Sequence, residues 1–345
     1  MSLFPEEHLD SPLGYFPGQL HQTLQNGRWR IIRKLGWGPR SSTWLAIDTQ
    51  DADKIEAIKI FTVSATEDKS AEKERNLFQQ ILNGIRASIP QFEGSFEEES
   101  TKGKHMCLVF ENLSPSVEAL RLGNRSSRYL LLHIVKKIVA DLLEILCELS
   151  DFWIVHGALI ADNVLFLSAS NADDIRDRIK DSPPAAVENV TTANGTVHPI
   201  VRSQPLNHGF KWNDTRSDFA FSSIYLCNFG HAYKATKSSD FKQDVWALGL
   251  MTYELITGTR LFPTLEKGAP STVCDKFTTI SKIEELLSAS KNKLPEKDIL
   301  QAASLISSCL TLDINKRPQA CDLIGHEWVK GGMVCSCGWC LEDGI

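Results

Sequence analysis

The sequence predicts an α+β protein of two lobes: a small β-rich lobe with one helix, followed by a larger, mostly helical lobe. The first observation is a series of short apolar runs between turn residues over 29–61, which is the pattern of consecutive strands. The second is a repeat of apolar residues at helical spacing over 130–149 and again over 244–257. With 345 residues and 42% hydrophobic content, the chain can bury the core that each lobe needs.

The small lobe comes first along the chain. Its strands are predicted at 29–35, 43–47, 55–61, 89–96 and 106–110. One helix interrupts them at 69–82, where Leu77, Phe78 and Ile81 fall on one side. This order gives a strand-rich lobe with a single helix.

The large lobe begins near residue 127. Its longest helix covers 130–149, and a second covers 244–257 with Gly258 placed to end it. Further helices are predicted at 278–290, 297–310 and 318–330. The polar stretch 168–221 is too long for an ordinary connection in a compact domain, so we interpret it as an inserted loop whose order the sequence leaves open.

Charge and hydropathy exclude several classes of function. A net charge of −6 gives no long-range attraction to nucleic acid or to an acidic membrane surface. The most apolar stretch, 130–149, is interrupted by charged residues such as Lys136 and Asp141, which a membrane span does not tolerate cheaply. Residues 1–10 lack the apolar core of a signal peptide, so secretion is not expected.

The cysteines are expected to be reduced thiols. There are nine of them in a chain without an export signal, and an odd number argues against a disulfide framework. Cys335, Cys337 and Cys340 lie close together in the tail. Because a closed zinc site needs four ligands, we interpret these three as free thiols rather than as a metal site.

Two features together indicate a nucleotide site. Gly36 and Gly38 lie between two strands, where glycine lets the backbone approach phosphate oxygens closely, although two glycines at a hairpin are often only a turn. Lys59 lies on a predicted strand, and Glu74 follows fifteen residues later on the predicted helix. A strand lysine held by a helix carboxylate is the ion pair that protein kinases need. The same pair could instead only brace the helix against the sheet, or be a solvated pair that contributes little.

Several sequence segments resemble the SR-protein kinase family. The segments that carry the resemblance are 14–17, 26–28, 32–38, 41–45 and 105–113 in the first lobe, and 244–246, 315–318 and 326–329 in the second. The family also has a long insertion between its catalytic loop and its magnesium motif, which 168–221 matches. The resemblance covers nearly the whole chain and implies a serine/threonine protein kinase fold in the cytoplasm, the nucleus or both.

The resemblance also implies a nucleotide site. Adenine would meet the backbone of Glu111 and Leu113. The implied nucleotide-binding residues are Leu35, Gly36, Gly38, Thr43, Ala57, Lys59, Glu74, Glu111, Leu113, Asn163 and Leu165. Thr43 stands where the family has valine, which adds a hydroxyl to an apolar wall. The sequence therefore leaves ATP binding open.

The catalytic loop departs from the family pattern His-Gly-Asp-x-Lys-Pro-x-Asn, which aligns with 156–163. Ala158 replaces the aspartate that accepts the proton of the substrate hydroxyl, and Ile160 replaces the lysine that neutralises the transferred phosphoryl group. Loss of a general base alone costs about 10² to 10⁴ in rate. We do not expect Asp162 or His156 to substitute, because Asp162 should point away from the substrate and His156 should pack in the core.

The magnesium motif has Asn228 in place of aspartate. With Asn163 it can still offer amide oxygens, but these lack the charge that a hard cation prefers, so magnesium binding should be weak or absent. Only thirteen residues separate Gly230 from Asp244, too few for the segment that seats a protein substrate in kinases. Arg317 is left without the glutamate that it pairs with in the family.

The sequence thus predicts a pseudokinase, a protein-kinase-like domain that acts as a binding or regulatory module for unidentified protein partners, with no nucleic-acid or membrane partner. One alternative is an active or weakly active serine/threonine kinase of the SR-protein kinase type. Another is a phosphotransferase acting on a small molecule, which would also need the base that is missing at Ala158. The expected division is an N-terminal extension at 1–28, a first lobe at 29–113, a second lobe at 114–330 with the insertion 168–221, and a cysteine-containing tail at 331–345.

Overall fold

The computed structural model describes residues 11–81, 84, 88–111, 113–167, 171–191, 195, 197–206, 209–220, 222–262 and 278–332. The chain divides into two compact units. The first comprises Met1–Gly84, Pro90–Pro115 and Leu167–His208, and the second comprises Ile85–Ile89, Ser116–Phe166 and Gly209–Ile345. The three tail cysteines lie outside the described residues, so their interpretation stays a prediction.

The secondary structure follows the predicted order of strands and helices. The strands are β1 Thr23–Leu24, β2 Trp29–Gly38, β3 Ser41–Asp48, β4 Ile55–Phe61, β5 Phe92–Ser100, β6 Gly103–Glu111, β7 Leu113–Ser116, β8 Ile154–Val155, β9 Val164–Leu167, β10 Val187–Thr191, β11 Val197–Val201, β12 Ile224–Leu226 and β13 Tyr233–Lys234. The helices are α1 Val63–Glu67, α2 Ser70–Ile81, α3 Val117–Gly123, α4 Leu132–Asp151, α5 Ala172–Asp181, α6 Arg216–Ala220, α7 Lys242–Thr257, α8 Ile280–Ser288, α9 Glu296–Cys309, α10 Ala320–Ile324 and α11 Glu327–Lys330.

The first unit is built on a six-stranded antiparallel sheet in the order β1-β2-β3-β4-β6-β5. The five predicted strands are confirmed as β2 to β6, with shifts at their ends. The prediction of a single helix is wrong, because α1 precedes α2. Thr62 caps α1 by accepting a hydrogen bond from the Ala65 amide at 3.2 Å, and a five-residue helix is too short to show a period.

Both faces of the sheet are covered, because successive side chains of a strand point to opposite faces and the consecutive residues Trp44 and Leu45 are both buried. One face buries Trp44 under Phe16 of the N-terminal segment. The opposite face buries Leu45 against Ile175 and Leu206 of the insertion. The insertion therefore contributes to the core of the first unit.

The insertion is folded where the structure describes it. It contains α5 and an antiparallel hairpin of β10 and β11. Ser203 forms a parallel bridge with Lys34 of β2. The buried Arg33 side chain donates to the carbonyl oxygens of Pro183 and Gln204, at 2.7 and 3.3 Å. These contacts hold the segment on the sheet, so the description of 168–221 as an inserted loop is too simple.

The second unit is mostly helical, as predicted. α4 buries the apolar residues of the predicted stripe, and α7 ends at Gly258 with φ 76°, the left-handed conformation that glycine favours at a helix end. The predicted helix 318–330 is wrong, because it is divided into α10 and α11. His326 between them has an extended backbone and caps α11, accepting a hydrogen bond from the Trp328 amide at 3.2 Å. None of the described helices is long and apolar enough to cross a membrane.

A disulfide joins two helices of the second unit. Cys147 of α4 and Cys321 of α10 have Cα atoms 5.2 Å apart, although 174 residues separate them in sequence. The expectation that all thiols are reduced is therefore wrong for this pair. Folding brings α4 and α10 side by side, which cysteine spacing does not reveal. Among the described residues, Cys107, Cys227 and Cys309 are buried and take no part in a disulfide.

Candidate functional site

The Gly-rich turn joins β2 to β3 in the first unit. Gly38 pairs with Ser41, and Trp37 pairs with Ser42. A Cβ atom added at Gly36 or Gly38 would meet no atom of the described residues within 4 Å. Packing inside the protein therefore does not require glycine here, whereas close approach of a ligand to the backbone would.

Strand pairing places three of the predicted nucleotide-binding side chains on one face of the sheet. Thr43 pairs with Lys59, and Leu45 pairs with Ala57. Residues that face each other across antiparallel strands share a face, and residues two apart on one strand do as well. Leu35 is partly buried against the cluster that contains Leu45. The first unit thus presents Thr43, Ala57 and Lys59 on a common side.

The structure confirms the predicted ion pair between Lys59 and Glu74. Lys59 Nζ donates to both carboxylate oxygens, at 2.7 and 2.9 Å. The two side chains are 13% and 2% exposed, so water screens the pair weakly. The lysine Nζ also lies 5.0 Å from the centroid of the Phe61 ring. Removing either charge would leave the other buried without its partner.

Glu111 and Leu113 lie where adenine was predicted to bind. Glu111 ends β6, and its backbone amide donates to the Gln91 carbonyl at 3.0 Å while its side chain accepts from the Gln91 amide at 2.8 Å. Burial raises the pKa of Glu111, and burial raises the pKa of its cross-strand neighbour Glu56 to about 7. Leu113 begins β7. The adenine contacts of these residues stay a prediction.

In the second unit, Asp244 anchors the catalytic-loop segment. Its two carboxylate oxygens accept hydrogen bonds from the amides of His156 and Gly157, at 2.7 and 2.9 Å. Burial raises the pKa of Asp244 to about 6, although these two hydrogen bonds act in the opposite direction. The sequence contains Asp244 in a matched motif, but no pattern in it assigns this anchoring role.

His156 is buried in the core, as predicted. Its Nε2 is 3.0 Å from the Cys227 carbonyl oxygen, and its ring meets Phe229 edge-on with centroids 4.9 Å apart. Burial lowers the pKa of His156 to about 4. A neutral, enclosed imidazole is poorly placed to exchange protons with a substrate.

The positions where the family pattern has aspartate and lysine carry hydrocarbon side chains. Ala158 offers a methyl group, and Ile160 is 54% exposed. Asp162 is exposed, and its Oδ1 accepts a hydrogen bond from Ser116 Oγ at 3.1 Å. Ser116 caps α3, so this carboxylate contacts a helix start, and its direction relative to a substrate stays a prediction.

Asn163 and Asn228 form a chain of amide hydrogen bonds. Asn163 Nδ2 donates to the Ala158 carbonyl oxygen at 2.7 Å, which turns its Oδ1 toward Asn228. Asn228 Nδ2 donates to that Oδ1 at 3.1 Å. The predicted ligand atom of Asn163 is therefore already accepting a hydrogen bond. Leu165, the next predicted site residue, is partly buried and pairs with Tyr225 across β9 and β12.

No metal-binding cluster is evident in the part of the chain that the structure describes. Among those residues, no group of three or more His, Cys, Asp or Glu side chains is arranged to hold a metal ion. Asn163 and Asn228 bring amide groups only. This donor set fits Mg²⁺ poorly, because magnesium in proteins is bound through carboxylates and phosphates.

The segment after the magnesium motif is short and folded. β13 pairs with β8, and a 3₁₀ turn at Ser238–Phe241 leads directly into α7. Asp240 closes this turn by accepting hydrogen bonds from the amides of Thr236 and Lys237, at 2.9 and 3.2 Å. The short segment between Gly230 and α7 thus forms one strand, which pairs with β8, and one turn.

The Arg317 guanidinium binds neutral groups instead of the glutamate that it pairs with in the family. Its guanidinium donates to the carbonyl oxygens of Thr311 and Lys242, at 2.9 and 2.8 Å, and lies 4.8 Å from the Trp246 ring centroid. Among the described residues, no carboxylate lies within ion-pair distance of Arg317. Burial lowers its pKa.

Comparison with known proteins identifies the fold. Residues 218–329 match the protein kinase domain family. The serine/threonine-protein kinase SRPK of Physarum polycephalum is 28% identical over 287 residues, which cover 72% of this chain and 65% of that protein. The serine/threonine-protein kinase spk-1 of Caenorhabditis elegans is 33% identical over 171 residues, covering 46% of this chain and 17% of spk-1. The protein kinase dsk1 of Schizosaccharomyces pombe is 30% identical over 158 residues, covering 44% and 29% respectively.

The family match, the β-sheet of the first unit and the helical second unit define a protein-kinase-like fold. The chain is similar to SR-protein kinases over most of its length, as its motifs predicted. It spans between 17% and 65% of the length of the three relatives.

Proposed function

We propose that this chain is a pseudokinase, which binds a protein partner as a regulatory module and does not transfer phosphate. The observation that carries the proposal is the hydrogen-bonded chain from Asn228 through Asn163 to Ala158. This chain of hydrogen bonds connects Ala158, at the position of the catalytic base, with two neutral amides at the positions of the metal ligands.

Loss of the base and the cation removes most of the transfer chemistry. A methyl group at Ala158 has no lone pair to accept the substrate proton, and the exposed Ile160 carries no charge to stabilise a phosphoryl group. General-base catalysis contributes about 10²- to 10⁴-fold, and a single electrostatic contact to developing charge contributes about 10²- to 10³-fold. Together these losses would bring a typical kinase turnover of about 1–100 s⁻¹ far below one per hour at their upper limit.

The metal site supports the same conclusion. For Asn163 to ligate Mg²⁺ through Oδ1, that oxygen would have to give up the hydrogen bond from Asn228. Asn228 would offer the ion a neutral amide, without the negative charge of a carboxylate. We infer that magnesium binds weakly or not at all at these two residues.

Protein kinase domains use ATP, and the first unit retains the means to hold it. The buried pair of Lys59 and Glu74 keeps the lysine ammonium at a fixed position on the Thr43 face. The open space at Gly36 and Gly38 permits close approach to the backbone. These features favour retained ATP binding that depends little on magnesium.

An ATP titration tests this part of the proposal. Thermal unfolding is measured with ATP up to millimolar concentration, with Mg²⁺ and with EDTA. We expect a rise in Tm that is similar under both conditions and is lost in Lys59→Met. A rise that requires Mg²⁺ would contradict the metal argument, and no rise at millimolar ATP would remove nucleotide binding from the proposal.

The second candidate is an active serine/threonine kinase, which the names of the relatives favour. It predicts transfer of label from γ-labelled ATP to the chain itself or to an Arg-Ser-rich peptide in Mg²⁺ or Mn²⁺. The pseudokinase proposal predicts no transfer above that of Lys59→Met, even after long incubation. Sustained transfer that this substitution abolishes would establish the second candidate.

A further inference from the structure

The N-terminal segment ahead of β2 is tied into the first unit. Phe16 is buried in the core cluster on one face of the sheet. The Gly14 carbonyl accepts a hydrogen bond from the Val63 amide at 2.9 Å. At Gly18, an added Cβ atom would lie 2.7 Å from the Trp44 ring. The segment therefore follows a path fixed by packing on both sides of Tyr15.

Tyr15 reaches from this segment to the Gly-rich turn. Its side chain is enclosed, with the residue 3% exposed. Its hydroxyl donates a hydrogen bond to the Gly38 carbonyl oxygen at 2.9 Å. Its ring meets Trp37 edge-on, with centroids 6.0 Å apart and an interplanar angle of 82°. Tyr15 thus contacts two consecutive residues of the turn.

The contact lies on the face of the sheet opposite to Lys59. Trp37 pairs with Ser42, and Ser42 shares its face with Trp44, which donates to the Ser42 hydroxyl at 2.8 Å. Thr43 and Lys59 alternate to the other face. Tyr15 therefore holds the turn from behind and leaves the Lys59 side uncovered by this contact.

The chemistry of the Gly38–Pro39 peptide indicates why the orientation of the Gly38 carbonyl matters. Proline has no N–H group, so this peptide unit can offer an approaching anion only its carbonyl oxygen, which would repel a phosphate. The hydroxyl of Tyr15 engages that oxygen. This hydrogen bond opposes a rotation of the glycine backbone that would turn the carbonyl toward the opposite face.

We propose that Tyr15 is a positioning residue for the Gly-rich turn, holding the Gly38 carbonyl away from the face where nucleotide phosphates bind. The turn is then preorganised before a nucleotide arrives, which lowers the ordering cost of binding. The effect on affinity rests on the ATP binding proposed above, whereas the restraint on the turn does not.

Tyr15→Phe tests the restraint because it removes only the hydroxyl. Tyr233→Phe is the matched control, since the Tyr233 hydroxyl accepts from Gln243 in the second unit. Hydrogen–deuterium exchange is followed without nucleotide for peptides that cover 36–42. A net hydrogen bond corresponds to about 2- to 12-fold faster exchange of 36–42 in Tyr15→Phe, and the control should leave this exchange unchanged. Unchanged exchange of 36–42 would overturn the proposal.

Calorimetric titration with ATP tests the consequence for binding. We expect the affinity of Tyr15→Phe to fall by a similar factor of about 2 to 12, with the affinity of Tyr233→Phe unchanged. Equal affinity of Tyr15→Phe and the parent, at faster exchange of the turn, would overturn the positioning role. Failure of the parent to bind ATP would instead overturn the proposed nucleotide binding, and the exchange measurement would still decide whether Tyr15 restrains the turn.

Discussion

Asn228→Asp should make the thermal stability of the protein depend on magnesium. In the present structure Asn228 Nδ2 donates to Asn163 Oδ1 at 3.1 Å, and Asn163 is itself fixed by its bond to the Ala158 carbonyl. Asn163 is only 7% exposed, so its oxygen cannot readily turn to water. Aspartate would replace the donor with a carboxylate that faces this oxygen. The backbone at 228, with φ 65°, suits aspartate as well as asparagine.

The magnitude follows from the lost hydrogen bond and the acceptor left without a donor. Together these should destabilise the metal-free protein by about 1–3 kcal/mol. For domains of this size class, such a loss lowers Tm by about 2–12 °C. A bound cation would give the carboxylate and Asn163 a shared partner, so millimolar Mg²⁺ should recover much of the loss.

Differential scanning calorimetry with EDTA and with Mg²⁺ measures both effects. Asn315→Asp, the same chemical change at an exposed position, is the control and should show neither. If Asn228→Asp were as stable as the parent in EDTA, and Mg²⁺ raised the Tm of neither protein, the account of the amide chain would be wrong.

Three further predictions concern stability. Lys59→Met should cost about 3–5 kcal/mol in urea unfolding, because it leaves the Glu74 carboxylate buried and unpaired, and Lys59→Met with Glu74→Leu should recover part of this. The pKa of Glu56 is raised to about 7, so its ionisation opposes folding increasingly as pH rises from its ordinary value of 4.5 through 7. Glu56→Gln should accordingly be more stable than the parent by about 1–3 kcal/mol at pH 8 and equal to it near pH 4, and the opposite order would refute the assignment. Cys147→Ser should lower the free energy of unfolding by about 2–4 kcal/mol, and dithiothreitol should lower that of the parent equally but leave the variant unchanged if Cys147 is bonded to Cys321.

Local patterns predicted the elements of the fold well. The alternating runs that became β2, β3 and β4, and the stripe along α4, each report burial of one side of a single element. Lys59 and Glu74 were predictable as a pair because their order and spacing match the ion pair of protein kinases. The break near His326 was missed, because the apolar spacing continues across it while the capping contact does not appear in a periodicity.

Contacts between distant segments were not predictable from patterns. The insertion is polar overall, and a few of its described residues, such as Ile175 and Leu206, bury against the sheet. The overall composition of the segment does not reveal such single buried residues. The hydrogen bond from Asn228 to Asn163 could be suspected from two amides at metal-ligand positions, but its direction depends on the Ala158 carbonyl, which only the folded chain supplies.

The most direct test of the central claim is the rate of phosphoryl transfer by the parent compared with Ala158→Asp/Asn228→Asp. Both proteins are supplied with γ-labelled ATP, Mg²⁺ and an Arg-Ser-rich peptide, with Lys59→Met as the background. We expect the parent to remain at background and any measurable gain to appear only in the double variant. A parent that turns over at about 1–100 s⁻¹, as kinases do, with no gain on restoring the two aspartates, would contradict the pseudokinase assignment.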